Sequence, residues 1–222
     1  MPGITYIGAI ISAFIQPHST QCPPIKPMSD LNISEYARST WYIQKQQITG
    51  YQPADSLYCV AQTLNEENKT VPFFSGPVLS VYNYANSGGV NGPPENAENG
   101  TVLCARIPDE KNTGSIINAP CFLPNFLAGP YWVIAAGPTP NTYEWAIVSG
   151  GPPTQPTPDG NCTTKTTGVN GSGLWLFTRC PVDGKGFVPK MESILREKGY
   201  STSLLLPVKQ DGCNYKGAFI KH

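Results

Sequence analysis

An all-β chain closed into an eight-stranded antiparallel up-and-down β-barrel is the fold the sequence predicts, on three observations. First, 22 glycines and 23 prolines in 222 residues punctuate the chain into short runs joined by turns. Second, those runs have strand length and are rich in aromatic and β-branched residues, whereas only one stretch, close to the C-terminus, repeats with helical period. Third, Trp41 opens an extended run straight after a turn-forming lead-in, and Arg179 ends a second run, Leu174-Trp-Leu-Phe-Thr-Arg. A barrel sealed at one end by an indole under a guanidinium accounts for both, since a cation held over an indole face is stabilising by about 0.5–2 kcal/mol. The alternative is an ordinary core aromatic and an ordinary surface charge.

In chain order, residues 4–15 are apolar over the length of a signal-peptide core and too short for a spanning helix, which needs about 20 residues. No lysine or arginine precedes the run and no small-x-small cleavage site follows it cleanly. Residues 1–21 are therefore set apart as a signal-like or partner-docking segment, and residues 22–222 form one domain. Cys22-Pro-Pro-Ile-Lys-Pro-Met is too proline-rich for helix or central strand and predicts an extended strap. One helical turn over 30–36 follows, capped by Asp30 or Asn32.

Strands are expected at 40–51, 56–65, within 71–84, at 101–107, 115–122, 131–136, 143–148 and 173–179. Residues 86–100 are loop. The stretch 150–172, dominated by Gly, Pro, Thr and Asn, shows no apolar periodicity and is expected to be a surface excursion. Phe187, Val188, Met191, Ile194 and Leu195 then fall on one helical stripe, with Pro189 in the first turn and Gly199 as the stop. This amphipathic helix should pack outside the barrel, and 203–207 should return as a short final strand.

Charge and chemistry narrow the function. Charged residues are 14 % of the chain, against roughly 25 % in soluble domains, and 15 basic residues balance 15 acidic ones. No long-range field gathers polyphosphate, which excludes nucleic acid as a partner. The two histidines, His18 and His222, lie near the ends, so a Ser/His/Asp triad, a His-ligated haem or a multi-His metal site has no material. Asp55, Asp109 and Glu110 sit in turn-like contexts that suit solvated surface acids. The loop Gly168-Val-Asn-Gly-Ser-Gly precedes no helix and so is not a phosphate cradle. The expectation is a protein that is not an enzyme.

Seven cysteines without a Cys-x-x-Cys pair indicate a disulfide framework formed in an oxidising compartment, extracellular or thylakoid-lumenal. Sequons at Asn32, Asn68, Asn99, Asn161 and Asn170 permit glycosylation along a secretory route.

The order and spacing of several motifs resemble the lipocalin family. They are Cys22-Pro-Pro, Tyr36 through Trp41-Tyr42, Tyr58-Cys59-Val60, Pro130-Tyr-Trp-Val-Ile-Ala, Tyr143-Glu-Trp-Ala-Ile-Val-Ser-Gly-Gly, Gly173-Leu-Trp-Leu-Phe-Thr-Arg-Cys-Pro and Glu197-Lys-Gly-Tyr. The layout is most similar to the apolipoprotein D branch and to algal lipocalins related to violaxanthin de-epoxidase. Two departures stand out: the family's Gly-x-Trp is Ser39-Thr-Trp41, and its Thr-Asp-x-x-Tyr becomes Gly137-Pro-Thr-Pro-Asn-Thr-Tyr143. The resemblance implies the disulfides Cys22–Cys162 and Cys59–Cys213. Cys104 and Cys121 lie close enough across a hairpin to pair, which leaves Cys180; an alternative joins Cys162 to Cys180 and frees Cys22.

A barrel of eight strands is just wide enough for one small ligand. With Arg179 fixing parity, Trp175 and Phe177 share a face, and the resemblance places Trp175 and Tyr131 on the wall of a cup. Alternation adds Val133 and Ala135 beside Tyr131, and Tyr58 and Val60 opposite Cys59. The alternative is that these side chains simply fill a core. An aromatic, nearly uncharged cup suits a carotenoid, a chlorophyll-like pigment, a retinoid, a sterol or a fatty acyl chain. The expected function is carriage of such a pigment or lipid. The second reading is a non-catalytic accessory subunit of a membrane assembly, photosynthetic by analogy with the algal proteins.

Overall fold

The computed structural model describes residues 21–67, 69–95 and 102–222. The apolar run 4–15, His18 and the sequons at Asn68 and Asn99 lie outside the described residues, as does nearly all of the proposed N-terminal segment.

Eight strands close into a ring. They are β1 (Trp41–Gln47), β2 (Tyr58–Glu66), β3 (Val78–Asn86), β5 (Leu103–Arg106), β6 (Ser115–Pro120), β7 (Gly129–Thr139), β8 (Thr142–Ser149) and β11 (Leu174–Thr178). Each pairs antiparallel with its neighbour, and β11 returns to β1 through Tyr42–Thr178 and Ile43–Phe177 to shut the barrel. Three two-residue strands lie off the ring: β4 (Pro94–Glu95) pairs antiparallel with the end of β3, while β9 (Gln155–Pro156) and β10 (Cys162–Thr163) form a separate hairpin. A last strand, β12 (Leu205–Pro207), lies along β1.

The short helix α1 (Ile33–Tyr36) starts at Asn32, whose side chain accepts a bond from the Glu35 amide, a standard N-cap. The long helix α2 (Phe187–Glu197) is capped from outside its own first turn: the Asp183 carboxylate accepts from the Phe187 and Val188 amides at 2.9 and 2.7 Å. It ends at Gly199, with φ +87°, where a Cβ would come within 2.6 Å of Pro23 in the strap; the positive φ and the close approach both require glycine. Met191 and Leu195 are fully buried against Ile134, Trp145, Ile147, Leu174 and Leu176. Those five are on the outer faces of β7, β8 and β11, so the barrel has a second core under the helix besides the one inside it.

The expected and observed elements differ where polar contacts replace apolar pattern. The strand expected over 40–51 ends at Gln47, and the one within 71–84 begins only at Val78. Residues 150–172 are not simply a surface excursion: Cys162, Thr163, Thr164 and Ser172 are buried. The Gln47 carboxamide binds the Thr163 hydroxyl at 2.6 Å and the Thr164 and Lys165 carbonyls at 3.2 and 2.9 Å. Hydroxyl and amide groups satisfied by one another bury a segment without any hydrophobic period, and periodicity cannot see that.

Three disulfides join Cys22 to Cys162, Cys59 to Cys213 and Cys104 to Cys121; Cys180 is free and exposed. The second belongs to a wedge. Strands β1 and β2 pair only at Trp41–Gln62 and Tyr42–Ala61 and then splay. The chain from β12 to Gln210 fills the gap, with the Gln210 amide donating to Ile43 O at 2.7 Å and to Val60 O at 2.8 Å. Cys59–Cys213 staples this tail to β2 from outside.

At the closed end the loop after β2 is held by one carboxylate. Glu67 accepts from Tyr82 at 2.7 Å, Ser80 at 2.7 Å and Asn65 at 3.0 Å, with the Lys69 ammonium at 3.4 Å. Burial alone would raise its pKa, but the bonds from Asn65, Ser80, Tyr82 and Lys69 outweigh it and hold the group at about 2, below the ordinary 4.5. A carboxyl depressed in the fold contributes stability that is complete above its unfolded pKa and is lost as pH falls through the folded value. Glu67→Gln should therefore flatten the loss of stability between pH 4.5 and 2 relative to the wild type. Urea midpoints measured across that window check it, and parallel profiles for the two proteins would contradict it.

Candidate functional site

The floor decides which end of the barrel is open. Trp41 is fully buried, and the guanidinium carbon of Arg179 stands 3.4 Å from the centre of its ring. Arg179 Nε donates to Tyr143 O at 3.1 Å, Nη2 to Glu35 O at 2.8 Å and Tyr36 O at 3.1 Å, and Nη1 to Ser39 O. The indole Nε1 also donates to Tyr36 O, at 3.0 Å. One cation thus gathers the carbonyls of α1, of the turn before β1 and of β8. Burial, helped by Arg38, lowers its pKa to about 9, with Tyr36, Glu35 and Tyr131 acting in the other direction. It stays a cation at neutral pH.

Above this plug the barrel encloses a cavity of about 490 Å³. Its wall includes Ile43, Val60, Ala85, Leu103, Trp175 and Phe177, and its mouth Tyr51, Leu127 and Val169. The indole of Trp175 lies over the backbone of Gly173, where a Cβ would be 2.1 Å from the ring. No side chain larger than hydrogen leaves room for that wall.

Polar groups form one connected chain at the base of the cup. The Tyr131 hydroxyl donates to Gln62 Oε1 at 2.5 Å and lies 2.8 Å from the Tyr36 hydroxyl. Its single proton goes to Gln62, so Tyr36 must be the donor in the second bond. Gln62 Nε2 passes the sequence on to Asn83 Oδ1 at 2.8 Å. Burial drives both phenol pKa values up; the Coulombic effect of Tyr36 adds to the rise at Tyr131, while Arg179 opposes it at both. The base of the cup is therefore polar but uncharged.

Of the residues expected on the cup wall, Val60, Tyr131, Trp175 and Phe177 line the cavity. Val133 is buried in the inner core without lining it. Tyr58 and Ala135 are elsewhere, and both misplacements have the same cause. Strand β2 shifts register between Tyr58 and Ala61, with Cys59 at φ +52°; this bulge sends Cys59 outward to Cys213 and takes Tyr58 out of the alternation. Strand β7 shifts between Val133 and Ala135, so Ala135 packs in the outer core under α2 while Ala136 joins the inner one. A bulge reverses every side chain beyond it.

Sequence reasoning missed Gln62, Asn83 and Asn118, all of which line the cavity. The signal was present: Gln62 is two residues from Val60, and Asn118 two from the inward Ile116, on straight stretches of strand. Their polarity sets them apart from the apolar wall that the alternation otherwise predicts.

No protein-family model matches the sequence and no curated protein matches it; solved structures do. Lobster apocrustacyanin A1 superposes with a TM-score of 0.54 at 12 % identity, over 91 % of this chain and 98 % of that one. Insecticyanin from the tobacco hornworm Manduca sexta gives 0.52 at 17 % identity over 85 % of both chains. The cockroach allergen Per a 4 gives 0.53 at 12 % over 89 % and 98 %. The chain has the lipocalin fold. The Trp41–Arg179 pair stands at one end of this barrel, and the cavity opens at the other. The likeness extends over 85–91 % of the chain at identities that speak for shape alone.

Removing the floor cation should cost far more than a surface charge does. Arg179→Met removes one donor from each of four carbonyls, leaving those of Ser39 and Tyr143 without a side-chain donor, and takes the cation from the indole, an expected loss of about 2–4 kcal/mol. Arg179→Lys recovers only part of it, because an ammonium cannot reproduce the planar fork. Urea unfolding of the two variants checks this; a loss under about 0.5 kcal/mol in Arg179→Met, no more than a surface change gives, would contradict it.

Proposed function

We propose that the protein binds and carries one small hydrophobic molecule in the barrel, without chemistry on it. The observation that supports this is the cavity of about 490 Å³ walled by Ile43, Val60, Leu103, Trp175 and Phe177, within the about 300–1,000 Å³ of ordinary ligand pockets. Transferring about 300 Å² of apolar ligand surface out of water is favourable by about 7 kcal/mol before binding costs, which suits a pigment, carotenoid, retinoid, sterol or acyl lipid. Disulfides of this number form in an oxidising compartment, which fits a carrier working outside the cytosol.

A second reading, a subunit docked on a membrane assembly, draws on Phe122, Phe126 and Val169, which are 75 %, 82 % and 76 % exposed, Val169 at the cavity mouth. Among the described residues no helix is long and apolar enough to cross a membrane.

Native mass spectrometry of gently purified protein should show one small molecule per chain, and an added polyene should quench the emission of Trp175. Ala85 lines the cavity and is buried, so Ala85→Trp should reduce binding at least about tenfold while the fold persists. Undiminished binding in that variant would remove the cavity as the site. Recovery of the chain in a stable complex, empty of small molecules, would favour the second reading.

A further inference from the structure

The exposed apolar surface of this protein is concentrated at one end. Among the described residues twelve large apolar side chains stand exposed, and seven of them belong to the four loops at the open end, residues 48–57, 87–102, 121–128 and 150–173. Phe122 and Phe126 project from the loop between β6 and β7. Tyr51, Leu127 and Val169 are exposed as well and also line the cavity, so the apolar rim continues into the cup. An exposed apolar patch of this kind, joined to a ligand site, marks a surface that something covers.

Charge is arranged the opposite way. Between Lys111 and Glu144 the chain carries no charged residue, and this stretch includes the whole β6–β7 loop. The four open-end loops together hold one basic residue, Lys165, against the acids Asp55, Glu95, Glu98 and Asp159. At the closed end charges crowd together: Glu67 with Lys69, Glu35 with Arg38, and Glu144 with Lys185. An end with a single cation is not built to meet an anionic surface. The backbone of the β6–β7 loop is suited to leaving water. Leu123, Leu127 and Ala128 donate their amides to Pro120 O, Pro124 O and Asn125 O, and Pro124 has no N–H to satisfy. Amides already paired within a segment cost little when water is removed.

A protein partner would have to match the shape of side chains that rise from three separate loops. A lipid interface adapts to any shape and gains with the apolar area inserted. We propose that the protein docks mouth-first on a zwitterionic phospholipid surface, with Phe122 and Phe126 entering the acyl boundary and Tyr51, Leu127 and Val169 resting against it. An apolar cargo then passes between lipid and cup without crossing water. Docking of this kind is distinct from the subunit reading, which needs a protein partner, and only the cargo step rests on the carrier reading.

Flotation with phosphatidylcholine vesicles tests the docking. The full chain should float with them, and exchanging part of the phosphatidylcholine for phosphatidylserine should tighten binding no more than about twofold. Phe122→Ser combined with Phe126→Ser should weaken partition at least about tenfold. Both side chains are exposed, so a urea midpoint equal to that of the wild type shows the variant folded. Phe73→Asn is the control: Phe73 is 98 % exposed but on the closed-end loop after β2, at a φ of +59° that asparagine tolerates, and flotation should be unchanged. Phe126→Trp should shift its emission to the blue when vesicles are added. Failure of the wild type to float overturns the proposal, as does binding that requires phosphatidylserine. Undiminished flotation of the double variant also overturns it, because the anchor is then another segment, such as the apolar run 4–15. Capture of a protein through this rim by a chain that ignores vesicles overturns it in favour of the other occupant. A wild type that floats yet takes up no polyene supports the docking and removes the carrier reading instead.

Discussion

The structure depends on one buried cation. Arg179 ends the last barrel strand, and its guanidinium covers the Trp41 indole while donating to carbonyls of Glu35, Tyr36, Ser39 and Tyr143. Those acceptors belong to the first helix, the lead-in to the first strand and the start of β8, so a single side chain ties three separate segments together. Closing one end of the barrel in this way leaves the other free to open. The cavity is a consequence of that asymmetry.

A second constraint acts at the opposite end. Strands β1 and β2 part after two residue pairs, and the tail beyond β12 occupies the gap through Gln210, which bonds to Ile43 and Val60 together. Both of those residues line the cup. The C-terminal tail is therefore part of the wall's support, and Cys59–Cys213 holds it there. Packing outside the barrel does similar work: α2 presses Met191 and Leu195 onto β7, β8 and β11, the last of which carries Trp175 and Phe177 on its other face.

Inside, the distribution of polarity separates two roles. The chain from Tyr36 through Tyr131 and Gln62 to Asn83 is linked by three hydrogen bonds, and such a buried network rigidifies the base of the cup. Asn118 is outside that chain. This vessel has a neutral, hydrogen-bonded base and no lysine, arginine or histidine among its lining residues.

Much of this was legible in the residues. Strand-length apolar runs between glycine and proline punctuation specified eight strands, the stripe from Phe187 to Leu195 specified one outer helix, and Trp41 with Arg179 specified a closed end, because each rests on local period or on a residue type with few alternatives. The interior was legible only along unbroken alternation, which is why Val60, Tyr131, Trp175 and Phe177 could be placed on the wall while Tyr58 and Ala135 could not. Bulges at Cys59 and after Val133 reverse the facing of what lies beyond them, and a bulge is set by tertiary demands: a disulfide to the tail in one case, packing under a helix in the other. The burial of residues 162–164 and the unpaired oxygen of Asn118 likewise come from contacts between segments far apart in the chain. Sequence determined the container and its floor; the folded chain decided which side chains face inward and which polar atoms find partners, because both depend on register and contacts that no local pattern encodes.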